Sequence, residues 1–199
     1  MPHVDVWVVP LDGESGWLPP TPTEAERAAR FVNSRLQRRY LRSHAALRAI
    51  LGTYTAAPLD FAAGEYGKPY LSSDIELKFN LSHSDGMALV AVVRGIEIGV
   101  DVERFRPMPE CMTLAERFFP PLEAATLAEA PPQGREVEFF RAWTRIEARL
   151  KARGIGLYGA GAELGGEWTV LPVEVGEDYT ACVAANCLGM KMERKAFSC

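Results

Sequence analysis

Asp101 and Glu103 stand two residues apart at the end of an apolar run, "IEIGVDVERF". On a strand, side chains at i and i+2 point to one face. Two like charges there repel unless a cation sits between them. Mg²⁺ suits such a pair, because it takes oxygen ligands and keeps waters and substrate phosphates. The same spacing fits a solvated strand end with two ordinary surface acids. A third acid, Glu147, falls in "FFRAWTRIEARLKARG", four residues before Lys151. At that spacing the two share a helix face. They make either an exposed ion pair, or a third carboxylate for the pair at 101 and 103 together with an ammonium for a phosphate.

Other residue types point to anions. His83 lies between Ser82 and Ser84 in "FNLSHSDG". An imidazole and two hydroxyls can all donate to phosphate oxygens, or the serines can cap a turn. Lys68 sits in "GKP", which alone carries little information. From residue 27 to 48 there are seven arginines and no acid: Arg27, Arg30, Arg35, Arg38, Arg39, Arg42 and Arg48. In a chain of net charge -4 this is a concentration of positive charge. It is either a solvated helix face or a surface for an anionic partner. Phe31 and Tyr40 are the only aromatics in the run, too few to stack a nucleic acid along it.

The elements that would position these groups follow from pattern. "HVDVWVVPL" alternates like a strand. Thr21, Pro22 and Glu24 form a capping box ahead of a helix over much of 22–50, with room for one break and a stop near Gly52. "DFAAGEYGKPYLSSD" reads as loop with short extended pieces. "IELKFNLSHSDGMALVAVVRGIEIGVDVERF" reads as three strands joined by tight turns. Its middle segment, "MALVAVV", is apolar on both faces and therefore covered on both sides. "MTLAERFF" and "PLEAATLAEA" are short helices separated by Pro120 and Pro121. The helix of "REVEFFRAWTRIEARLKARG" has a core stripe at Phe139, Trp143, Ile146 and Leu150 and stops at Gly154. "EWTVLPVEVGEDYTACVAANC" reads as two strands around "GED". The order fits an α+β protein with mostly antiparallel sheet.

Composition narrows the class. With 48% apolar and 24% charged residues the chain is globular rather than disordered or fibrous. Cys111, Cys182, Cys187 and Cys199 form no CxxC pair, so neither a zinc site nor a disulfide framework is expected. No signal peptide and no apolar run of membrane-spanning length is visible, which makes a cytoplasmic protein the expectation.

Read together, "GKPYL", "FNLSHSDG", "GVDVERFRP" and "FFRAWTRIEARLKARGIGL" resemble, in order and spacing, the 4'-phosphopantetheinyl transferase superfamily. The likeness is to its monomeric, surfactin-synthetase-activating type. The blocks span residues 67–157, and the arginine-rich helix extends the likeness back to about residue 24. The resemblance implies two similar α/β lobes related by a pseudo-two-fold axis, residues 1–104 and 105–199, each with a long helix on mostly antiparallel sheet. It implies transfer of the phosphopantetheine arm of coenzyme A to a serine of an apo acyl or peptidyl carrier protein, with Mg²⁺, releasing 3',5'-ADP. It assigns Asp101, Glu103 and Glu147 to the metal, and Glu147 also to the serine proton. Lys151, His83 and Ser82 would face the phosphates. Lys68, with Arg38 and Arg42 matched by region only, would face the adenosine end and its 3'-phosphate. One departure stands out: Ile146 occupies the position where the family usually has lysine, so either Arg145 or Arg149 supplies that charge or the lysine is not essential. The rival readings are a Mg²⁺-dependent phosphodiester hydrolase, which needs no carrier, and a non-catalytic module binding an acidic partner through the arginines.

Overall fold

The computed structural model describes residues 1–13, 17–156 and 166–198. Leu157, the last residue of the helix block, and Cys199 lie outside them. The chain runs β1 (His3–Pro10), α1 (Pro22–Ala28), α2 (Ser34–Leu51), β2 (Phe61–Ala63), β3 (Pro69–Leu71), β4 (Leu77–Ser84), β5 (Met87–Arg94), β6 (Ile98–Arg104), α3 (Cys111–Phe118), α4 (Pro121–Glu129), α5 (Arg135–Arg153), β7 (Thr169–Pro172), β8 (Tyr179–Ala185) and β9 (Lys191–Ala196).

Local chemistry explains the helix ends. Thr21 Oγ1 accepts from the Glu24 amide, and Glu24 Oε2 accepts from the Thr21 amide, closing the expected capping box. The expected break in the first helical region falls at residues 29–33. Asn33 restarts the helix there, its Oδ1 accepting from the amides of Arg35 and Leu36 at 2.8 and 3.2 Å. α5 ends at Gly154, whose φ of +72° an L side chain rarely adopts.

The strands form a four-stranded sheet, β4-β5-β1-β9, a three-stranded sheet, β6-β8-β7, and the small β2-β3 hairpin. All pairings are antiparallel except β1 with β9. β5 shows why its sequence lacks alternation. Leu89, Ala91 and Val93 pack toward the second sheet, onto Val100, Val102 and Val183, while Ala88, Val90 and Val92 pack with Ala46, Leu47 and Ile50 of α2. On the far side of the second sheet, Ala148 of α5 packs on Cys182 and Ala184 of β8. The layers are therefore α2, first sheet, second sheet, α5: two lobes, each a long helix on mostly antiparallel sheet.

Two features differ from the sequence reading. The tail holds a third strand, β9, which returns to the first sheet beside β1. Its burial alternates only weakly and most of its residues are exposed, so its hydrophobic period carries no signal. The strand pairings also do not divide the chain at residue 104, because β6 belongs with β8 and β7.

α5 lies directly on β6. A Cβ at Gly99 would stand 2.1 Å from the Ala148 carbonyl oxygen and 2.3 Å from the Ala152 nitrogen. Only glycine admits the helix backbone that closely. This contact sets the distance between the acids of β6 and the polar face of α5.

Candidate active site at the seam between the sheets

β4 and β6 are edge strands of different sheets and share no backbone ladder. Side chains of β4 bridge them instead. Asn80 Oδ1 accepts from the Val100 amide at 2.9 Å, and Ser84 Oγ accepts from the Arg104 amide at 3.1 Å. These side chains satisfy donors on the open edge of β6 that a missing strand would otherwise serve. The same stripe holds the acids. Ser82 Oγ donates to Asp101 Oδ1 at 2.8 Å, and Ser84 Oγ donates to Glu103 Oε2 at 2.7 Å. Asn80, Ser82 and Ser84 alternate along β4 as Asp101 and Glu103 alternate along β6, so two period-two stripes face each other.

α5 supplies the rest. Lys151 Nζ donates to Asp101 Oδ1 at 2.6 Å and to Ser82 Oγ at 3.0 Å. Glu147, one turn earlier on the same face, is half-buried and makes no hydrogen bond or ion pair with a described residue. Burial pushes its carboxyl up to about 7; Lys151 pulls down, while Asp101 and Glu103 push further up. That mutual repulsion means the three acids share one electrostatic site. Burial also raises Asp101, against the pull of Lys151 and Ser82. Its Oδ2 is buried with no hydrogen-bond partner among the described residues. A buried carboxylate oxygen left bare is costly unless a cation meets it. Glu103 is additionally held by Arg106 at 2.9 Å. Three carboxylates with one bare buried oxygen and one unpaired acid fit a hard cation, with Asp101, Glu103 and Glu147 as the donors that would hold it. Their oxygens do not all lie within 4.8 Å of one another; the one described set of three such ligand atoms that does is His3, Asp5 and Glu193, at the opposite edge of the first sheet.

His83 is exposed at the end of β4. Desolvation by its surroundings, then the nearby His44 and Lys151, hold its pKa below the usual value, against the pull of Glu103. A neutral imidazole there keeps one N–H to donate.

The other expected residues are placed differently. Lys68 Nζ donates to Glu97 Oε2 at 2.6 Å, Ala152 O at 2.7 Å and Ile98 O at 3.0 Å. It thus ties the last turn of α5 to the start of β6. Arg42 donates to the Leu11 carbonyl at 2.6 Å and lies over the Trp17 ring. Arg38 is exposed and has no partner among the described residues. Three of the seven arginines in the acid-free run meet acids from elsewhere. Arg39, 6% exposed at its side chain, binds Asp12 bidentately and also Asp85; Arg35 binds Asp12; Arg48 binds Glu24. Asp85, at a positive φ of 49° in the β4–β5 turn, also accepts from Arg104 at 2.5 Å, so one carboxylate joins α2 to the end of β6.

Ile146 is 2% exposed in the core with Phe139 and Leu150. Arg145 and Arg149 both turn to Glu123 of α4, at 3.6 and 2.9 Å. They pin α4 to α5. The roles of Asn80, Ser84, Arg106 and Gly99 were missed in the sequence. The alternating polar residues of "NLSHS" opposite "DVE" were the signal available for the first two.

Comparison with known proteins bears on the family. The family described as the 4'-phosphopantetheinyl transferase superfamily matches residues 97–176. The chain is similar to the 4'-phosphopantetheinyl transferase HetI of Nostoc sp. strain PCC 7120, at 38% identity over 166 residues, covering 78% of this chain and 70% of that one. It is similar to the 4'-phosphopantetheinyl transferase AcpT of Escherichia coli K12, at 36% identity over 129 residues, 64% of this chain and 60% of that one. It is also similar to a 4'-phosphopantetheinyl transferase of Bacillus subtilis, at 36% identity over 101 residues, 51% of this chain and 44% of that one. Identity of that extent, across a match that takes in Asp101, Glu103, Glu147 and Lys151, makes this chain a member of the 4'-phosphopantetheinyl transferase superfamily.

Proposed function

We propose that the seam between β4, β6 and α5 moves the 4'-phosphopantetheine arm of coenzyme A onto a serine hydroxyl of an apo acyl or peptidyl carrier protein, with 3',5'-ADP leaving. The observation that carries this reading is Glu147: a half-buried carboxyl with no partner among the described residues, one helical turn before the lysine that reaches Asp101. A carboxylate without a partner can accept the proton as the serine oxygen attacks the β-phosphorus. Asp101, Glu103 and Glu147 would hold Mg²⁺, which when bound supplies charge neutralisation for the diphosphate.

The remaining steps belong to the chain's own residues. Lys151, 30% exposed at its side chain, brings an ammonium to the mouth of the site, where it can face a phosphate oxygen. His83, neutral, donates one hydrogen bond to a phosphate oxygen, and Ser82 fixes the Asp101 carboxylate and the lysine together. Arg38, exposed on α2 with no partner among the described residues, would be a cation for the 3'-phosphate end. Arg42 and Lys68 would take part only by exchanging present partners. The two lobes meet along this seam, where the carrier serine would enter, and the chain's motifs resemble those of the monomeric surfactin-synthetase-activating type.

The test is intact-mass measurement of apo-carriers incubated with this protein, coenzyme A and Mg²⁺. The expected result is a gain of one phosphopantetheine arm on the carrier serine, with 3',5'-ADP in equal amount. Breakdown of coenzyme A with no mass gain on acyl or peptidyl carriers would replace transfer by hydrolysis.

A further inference from the structure

β1 and β9 form the sole parallel pair among the described strands, and they lie at the far edge of the first sheet from β4. Their register sets Asp5 beside Glu193, with His3 two residues before Asp5 on the same face. His3 Nε2 stands 3.2 Å from Asp5 Oδ1 and 3.1 Å from Glu193 Oε2. One N–H at Nε2 can serve one of those oxygens well, and Asp5 Oδ1 is buried without a hydrogen-bond partner. Asp5 is 7% exposed, so water is not its partner by default.

We propose that His3, Asp5 and Glu193 form a metal site of their own, for a first-row divalent cation with Zn²⁺ as its representative, that ties β9 to β1. Three arguments carry it. The ligand set is one imidazole and two carboxylates, which zinc accepts and which the all-oxygen preference of Mg²⁺ does not favour. Ligand atoms on a tetrahedral ion with bonds of about 2.0–2.2 Å stand roughly 3.3–3.5 Å apart, close to the spacings seen here. The buried ligand is also oriented from behind. Asp5 Oδ2 accepts from Tyr54 OH and from Lys195 Nζ at 2.8 Å, and Trp7 Nε1 donates to Tyr54 OH at 2.8 Å. Partners of this kind fix a carboxylate while leaving its other oxygen aimed outward.

The site is separate from the transfer seam, so the two stand or fall independently. The experiment uses the full, untagged chain, stripped with a chelator and then titrated with Zn²⁺. Tight binding of one ion per chain is expected. At a hundredfold excess over Kd the melting temperature should rise by roughly 5–10 °C, and equal Mg²⁺ should not produce that rise. His3→Ala and Glu193→Gln change exposed side chains, so both should melt near the wild-type temperature without metal. Each should bind Zn²⁺ at least about tenfold more weakly and lose the shift, with Mg²⁺-dependent transfer unchanged. Co²⁺ in the wild-type site should show ligand-field bands without thiolate charge transfer, which separates it from binding at cysteines. Absence of Zn²⁺ binding would overturn the proposal. Equal binding by the wild type and both variants would overturn it too.

Discussion

The arginine helix and the acidic seam are both dense in one sign of charge, and the fold treats them in opposite ways. In α2 three of the five arginines are met by acids: Arg35 and Arg39 reach Asp12, Arg39 also reaches Asp85, and Arg48 reaches Glu24. At the seam, Lys151 and Arg106 face three carboxylates, Glu147 is unpaired, and Asp101 Oδ2 is buried bare. Charge that is compensated in place supports architecture, while charge left over is what a substrate or ion can use. Arg38 is the member of the helix that resembles the seam in this respect.

The sharpest way to break this contrast is Glu147→Gln. The amide is nearly isosteric, so the stripe at Phe139, Ile146 and Leu150 should hold and circular dichroism should match wild type. Carrier mass gain should slow by about 10²–10⁴. Asp101→Asn should slow it comparably but recover in part across a Mg²⁺ titration, and Glu103→Gln should be milder. A folded Glu147→Gln protein working near the wild-type rate would return Glu147 to the class of ordinary surface acids.

Next in size are two substitutions outside the chemistry. Gly99→Ala should cost about 3 kcal/mol or more in urea unfolding, because its Cβ meets helix backbone that cannot rotate away. Whatever fold survives should transfer poorly, since Glu147 and Lys151 move with α5. Arg39→Ala should cost roughly 3 kcal/mol, the lower end for breaking a buried pair, because Asp12 is half exposed. Its coenzyme A KM should change little in the protein that folds.

Arg38→Ala sharpens the comparison from the other side. Stability should stay within about 0.5 kcal/mol, and the coenzyme A KM should rise with a smaller change in kcat. Arg42→Ala should mix the two outcomes, because Arg42 also holds the Leu11 carbonyl. An unchanged coenzyme A KM together with a raised carrier KM would assign Arg38 to carrier docking.

The smallest expected effect is with pH. Hydrogen bonds from Arg39 and Arg35 hold Asp12 below the usual carboxylate range. Burial pushes Asp85 up, but Arg39 and Arg104 outweigh it and leave it low as well. For depressed acids the stabilisation is present above the unfolded pKa, about 4, and is lost as pH falls through the folded values. The melting temperature should therefore drop below about pH 4, and more shallowly in Arg39→Ala than in wild type.

How far the sequence could be read follows from these same residues. The helices were legible because their caps and stripes are local: Thr21 with Glu24, and Phe139 through Leu150 to Gly154. Asp101, Glu103, Glu147 and Lys151 were legible as motifs, and α5 does bring Lys151 onto Asp101. The partners of the arginines were not, because Asp12 and Asp85 lie in turns far along the chain. Nor was the bridge from Asn80 to Val100, which exists only because two sheet edges abut. β9 was hidden because "KMERKA" is a mostly exposed edge strand whose pairing, not its pattern, makes it a strand.

That last strand has a consequence for synthesis. Residues 3–8 on β1 wait for residues 191–196 to complete their ladder, almost the greatest sequence separation this chain allows. As the polypeptide emerges, β4, β5 and α2 are available to β1 early, so the first layer can collapse on one side. Its other margin stays open, with unsatisfied amides and carbonyls, until β9 arrives. A nascent chain stalled before residue 191 therefore carries a sticky sheet margin, and cutting the protein into halves would leave that margin bare for good.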